Sequence, residues 1–123
     1  MIDKYVQIYL EKAQENYELY CFLAKADKFV PWQLTAVFYS ALCLAKAYLY
    51  NKGIKENSIN SHDNIKGWLT TESNAKKLNV FYYYEKLYYD SRDARYSIKK
   101  ISRERIKRAL ENYEKVKNLL KIC

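Results

Sequence analysis

Only two glycines and one proline interrupt these 123 residues. Tight hairpins need Gly, Asn or Asp at fixed places, so a chain with so few breakers has little room for a β-fold. The commonest residues, Leu, Lys, Ala, Glu and Tyr, point instead to helices. The length suits one domain, residues 1–123, with a real core. No apolar run approaches the roughly 20 residues that span a bilayer. Met1-Ile2-Asp3-Lys4-Tyr5 already reads as amphipathic helix, without the apolar block of a signal peptide.

Periodicity divides the chain into five helical segments. In the first, from about Asp3 to Ala26, Tyr5, Tyr9, Ala13, Asn16, Tyr20 and Leu23 recur at three- and four-residue steps. A short loop, Asp27–Val30, precedes Pro31, which opens the second helix where its missing N–H costs little. Leu34, Val37, Phe38, Ala41, Leu42, Ala45, Tyr48 and Leu49 form a wide apolar stripe, and Gly53 supplies a left-handed stop. Ser61 caps a short helix, His62 to Leu69, with Asp63 near its positive end. Thr70-Thr71-Glu72-Ser73-Asn74 reads as a loop or a helix start. A long helix then runs to about Tyr96. Its consecutive aromatics, Phe81 to Tyr84, surround it and predict burial on more than one side. Ser102 caps the last helix, where Ile106, Ala109, Tyr113, Val116 and Leu120 make a narrow seam. The expected fold is all-α: an antiparallel four- to five-helix bundle with one short extra helix. Phe38, Leu42, Ala45, Leu49, Tyr84, Leu87 and Leu110 should lie in its core.

The net charge of +8 is unevenly placed. Residues 1–91 hold 11 Lys and Arg against 10 Asp and Glu; residues 92–123 hold 11 against 4. All five arginines, Arg92, Arg95, Arg103, Arg105 and Arg108, lie in that final stretch. A basic end rich in phosphate-matching guanidinium forks fits a polyanion or an acidic partner; a solvated lysine-rich helix has the same composition. Three widely spaced cysteines, Cys21, Cys43 and Cys123, fit reduced thiols of a cytoplasmic protein better than disulfides. With His62 the only histidine, no metal site and no cofactor are expected.

The end of the fourth segment concentrates the chemistry. Helical spacing places Phe81, Tyr84 and Tyr88 on one face and carries that face on to Arg92 and Arg95, with Tyr96 one turn after Arg92. Inward arginines need an anionic ligand or a carboxylate partner. One reading is therefore an anion pocket for RNA phosphate or a nucleotide. The other pairs Arg92 or Arg95 with Glu11, Glu15 or Glu18 of the first helix. The basic last helix, through Arg103, Arg105 and Lys107, would add salt-sensitive attraction for nucleic acid. Most of the fourteen tyrosines lie at core spacing. Tyr82, Tyr83 and Tyr89 are candidates for an interface, with a homodimer or a helical partner as the occupant. Cys43 sits among apolar neighbours, which favours an inert core thiol.

Trp32, Phe38-Tyr39-Ser40-Ala41-Leu42, Tyr48-Leu49, Gly53, Ser61-His62 and Ser91-Arg92-Asp93-Ala94-Arg95-Tyr96, in that order and spacing, resemble a HEPN domain. These small all-helical modules are common in prokaryotic toxin–antitoxin, phage-defence and RNA-processing systems. The resemblance runs from Trp32 to the last helix. It implies a helical bundle, a dimer, and RNA or a nucleotide as ligand. It also implies a cognate nucleotidyltransferase or antitoxin as partner. HEPN nucleases share an arginine and, after four to six intervening residues, a histidine, and cut RNA without metal. Here Arg92 matches the arginine, but Tyr96-Ser97-Ile98-Lys99 follows, with no histidine, and His62 precedes every arginine. The resemblance is thus to a branch lacking that motif. A phenol with a pKa near ~10 is a poor base at neutral pH, so Tyr96 is expected to hydrogen-bond or to accept a nucleotidyl group. His62 either faces the same cleft as the missing acid–base group or only packs at its helix start. Three readings follow: a binding protein with a degenerate or rebuilt nuclease centre, a non-catalytic adaptor for an acidic protein, and an active metal-independent endoribonuclease.

Overall fold

The structure, a computed structural model, describes residues 3–76, 79–97 and 100–122, and every regular element among them is helical. The helices are α1 (Lys4–Ala26), α2 (Val30–Asn51), α3 (His62–Lys76), α4 (Val80–Tyr96) and α5 (Arg103–Leu119). A single 3₁₀ turn, Glu56–Ser58, stands between α2 and α3. Cys123 and the pair Ile98-Lys99 lie outside the described residues, as do Met1 and Ile2 of the expected N-terminal helix start.

α2 is the axis of the bundle and packs against each of the other four helices. Its apolar stripe is wide enough to bury Leu34, Val37, Phe38, Ala41, Ala45 and Leu49, joined by Tyr84 and Leu87 of α4. Of the expected core, Leu42 and Leu110 are half-buried against this cluster and the other five are buried. Each fully buried Leu, Val or Phe side chain contributes roughly 1.5–3 kcal/mol. The seam on α5 is buried throughout, from Ile106 to Leu120. Ser102 caps α5 as expected, its Oγ accepting the Arg105 N–H at 3.1 Å.

α1 and α2 run antiparallel. Tyr5 and Tyr9, near the start of α1, stack on Tyr50 at the end of α2. Midway, the buried Ser40 hydroxyl donates to the Ala13 carbonyl at 2.7 Å. Its one proton is thereby used, so Tyr113 of α5 donates to Ser40 Oγ at 2.8 Å. The turn between the helices is unusual. Asp27 and Phe29 both take left-handed φ values, 52° and 56°, which cost a non-glycine residue about 1–2 kcal/mol each. Buried Gln33 clamps this turn by donating to the carbonyls of Lys28, at 3.0 Å, and Leu23, at 3.5 Å.

One expectation of the element map fails. α3 does not stop at Leu69 but continues through Thr70–Asn74 to Lys76. Thr70 and Thr71 turn their hydroxyls back onto the carbonyls of Lys66 and Gly67, at 2.8 and 3.1 Å. Glu72 accepts the Tyr48 hydroxyl at 2.7 Å. Those partners remove the pull towards a loop that such polar side chains otherwise exert. α3 is therefore a full member of the bundle, with its first turn laid against α4.

Candidate functional site

Ser61 sets the site by capping α3. Its Oγ accepts the Asn64 N–H at 3.1 Å, so the next residue, His62, opens the helix. The imidazole lies flat on the Tyr88 ring, with centroids 3.7 Å apart and planes 10° from parallel. Phe38 and Tyr84 close the other sides.

His62 Nδ1 is 3.2 Å from the hydroxyl of Tyr84, a fully buried side chain. Burial pushes the Tyr84 phenol far above its ordinary range, so it keeps its proton. Among the described residues that proton has no acceptor other than Nδ1, which makes Tyr84 the donor and leaves the imidazole hydrogen on Nε2. Burial also lowers the His62 pKa, and the positive charges of Lys66 and Arg92 act in the same direction. At neutral pH His62 is thus a neutral ring with one N–H to offer.

Tyr88 joins this ring to the arginines. Its hydroxyl accepts Arg92 Nη1 at 3.1 Å, and the Arg92 guanidinium sits over the rings of both Tyr88 and Tyr96. Arg95 donates through Nη1 to the Tyr39 hydroxyl at 3.2 Å and through Nε to the Ser91 carbonyl at 3.2 Å. Tyr96 lies under Arg95 as well. A cleft of about 200 Å³ is lined by Phe38, Tyr39, Lys46, Ser61, His62, Tyr88 and Arg95. Arg92, Arg95, Tyr96 and His62 are thereby brought into one neighbourhood, although His62 is thirty residues away in the chain.

The orientation differs from the expected inward stripe. The buried line of α4 runs Val80, Tyr84, Leu87, Ser91, so Arg92 and Arg95 flank it. Arg92 is exposed, Arg95 half-buried and Tyr96 71% exposed, because the last turn of α4 passes the edge of the core. Neither arginine meets a carboxylate among the described residues. Glu11 and Glu18 accept instead from Gln7 and Gln14 on their own helix. Of the α4 carboxylates, Glu85 pairs with Lys66 of α3 at 3.1 Å, and Asp90 and Asp93 face α5, where Arg105 holds them at 2.8 and 2.6 Å. Arg92 and Arg95 rest on rings, hydroxyls and a carbonyl, which hold a guanidinium in place without neutralising it.

The other expected residues are dispersed. Arg105 is committed to those carboxylates, and Arg103 chelates Asp27 at 2.8 and 3.0 Å. Lys107 lines a separate groove on α5. Tyr82 and Tyr89 are half-exposed, and with Tyr96 they recur every seven residues along one outer face of α4. Tyr83 is partly buried, its ring edge-on to Tyr82. Cys43 is buried, and burial raises its thiol pKa, as suits a core position. No group of three or more His, Cys, Asp or Glu gathers to hold a metal among the described residues. No helix among them is long and apolar enough to cross a membrane.

Lys46 escaped the sequence reading, and Tyr39 and Tyr88, though named in it, were given no role at the site. Tyr88 had a signal, since it precedes Arg92 by one helical turn. Lys46 had none, because only the packing of α2 beside α3 brings it to the cleft wall, where its ammonium rests over the Tyr9 ring. Compared with known proteins, the chain matches no family model, no curated protein and no solved structure.

Proposed function

We propose that the chain is a HEPN-like RNA- or nucleotide-binding protein of a toxin–antitoxin or phage-defence system. Its nuclease centre is degenerate or rebuilt around Arg92, Arg95 and Tyr96, with His62 at the start of α3 beside them. The observation that carries this reading is the His62–Tyr88–Arg92 stack beside Arg95. Two un-neutralised guanidiniums offer charge-assisted hydrogen bonds to phosphate. Lys46 adds a third cation, and the Nε2–H of His62 a neutral donor. Tyr39 and Tyr96 present ring faces on which a base can stack.

In this arrangement His62 orients phosphate and does not abstract a proton. Its Nε2 carries hydrogen, and freeing that lone pair would require Nδ1–H to face Tyr84 and orphan the buried phenol proton. Cleavage, if it occurs, is expected to be slow, since loss of a positioned base typically costs about 10²–10⁴ in rate.

Fluorescence anisotropy with a short labelled RNA, at low and moderate salt, tests the reading. Wild type should bind, more weakly at higher salt. Arg92→Ala should abolish binding and His62→Ala should only weaken it. Equal affinity for wild type and Arg92→Ala would favour an adaptor without nucleic acid. Fast cleavage in EDTA, lost in His62→Ala, would favour an active ribonuclease.

A further inference from the structure

Two clefts flank the Arg103–Asp27 ion pair, on the far side of α5 from its contact with Asp90 and Asp93. One, of about 270 Å³, lies between the α1–α2 turn and α5 over Ala24, Val30, Ile106 and Leu110. The other, of about 460 Å³, extends over Val30 and Ile101 towards Lys100. They share Asp27, Val30 and Arg103 and so meet as one trough. Its floor is aliphatic. Its rim holds three cations, Lys100, Arg103 and Lys107, against the single carboxylate of Asp27, which Arg103 already chelates. Lys100 and Lys107 are exposed and meet no carboxylate among the described residues. The Gln33 clamp fixes the turn that forms one wall, so the trough is preformed and binding need not order it.

We propose that this trough takes an acidic segment of a partner protein. An apolar side chain enters between Val30, Ile106 and Leu110 while flanking carboxylates meet Lys100 and Lys107. The chemistry selects this occupant. A polynucleotide would satisfy the cations but find no ring on the floor for a base to stack on. A second copy of the chain would bring another net charge of +8 towards a basic rim. The site is separate from the α3–α4 cleft and stands whether or not that cleft binds RNA.

The test is selection from a phage-displayed random peptide library on the intact protein. Enriched sequences should carry Asp or Glu on either side of a Leu, Ile or Phe. A synthetic peptide of such sequence should lose at least about tenfold in affinity for Lys100→Glu/Lys107→Glu, whose changes are at exposed positions. Val30→Thr, which keeps the floor's volume but adds a hydroxyl, should also weaken it. Arg92→Ala should leave peptide binding unchanged. Absence of enrichment, or peptides indifferent to both variants, would overturn the proposal. So would RNA displacing the peptide from Arg92→Ala, which gives the trough to nucleic acid. Light scattering that shows self-association lost in Lys100→Glu/Lys107→Glu would give it to a second copy.

Discussion

Tyr84 donates its only hydroxyl proton to His62, and that contact assigns the imidazole its tautomer and its role. Because burial lowers the His62 pKa below its ordinary 6.5, the unfolded chain binds more protons than the fold just below that pH. His62 therefore contributes stability that is complete above pH 6.5 and is lost as pH falls through the folded pKa. With a single histidine, proton NMR should show one imidazole titrating below 6.5, shifted upward in Arg92→Ala, which removes a neighbouring positive charge. A titration at or above the ordinary value would contradict the buried, neutral ring. Phe29 carries a different residue-scale prediction. It is exposed and held at φ 56°, so Phe29→Gly should raise stability by about 0.5–1 kcal/mol in urea denaturation, after glycine's own entropy cost. The arginines, Tyr96 and His62 were legible as candidates from residue type and spacing. Their environment was not, because the face of a helix that meets the core drifts by one position and carries Arg92 to solvent.

Among the elements, the α1–α2–α5 joint is fixed by Ser40, which links the Ala13 carbonyl to the Tyr113 hydroxyl. Ser40→Ala removes both hydrogen bonds and leaves the buried Tyr113 hydroxyl unpaired, while the Ala13 carbonyl keeps its helical partner, and should cost about 1–3 kcal/mol. Tyr113→Phe removes one hydrogen bond and keeps the stacking on Tyr17, so it should cost less. Equal losses by chemical denaturation would contradict the shared network. Helix positions were largely readable because their caps are local: Pro31, Gly53, Ser61 and Ser102 each mark a boundary through chemistry within a few residues. The length of α3 was not, since Thr70, Thr71 and Glu72 read as loop formers until their back-bonds and the Tyr48 contact are known. An interface on the heptad-spaced outer face of α4 belongs to this scale too. If that face pairs with a second copy, Tyr82→Glu/Tyr89→Glu should lower the mass found by light scattering. An unchanged mass would remove these tyrosines from any self-contact.

At the scale of the whole molecule, the basic C-terminal stretch divides into separate surfaces. Arg105 and Arg103 are spent on carboxylates of α4 and the α1–α2 turn. Arg92 and Arg95 stay available at the α3–α4 cleft, and Lys100 and Lys107 at the trough. The sum of charge was plain in the sequence, but its partition depends on which helices face Asp27, Asp90 and Asp93. If the α3–α4 cleft takes phosphate beside His62, as proposed, the imidazole is its own reporter. Proton NMR of His62 during titration with a short RNA tests that proposal most directly. The imidazole signal should move as RNA binds and its pKa should rise beside a phosphate, with both effects absent in Arg92→Ala. RNA that saturates the protein by anisotropy while the His62 signal stays unmoved would contradict it.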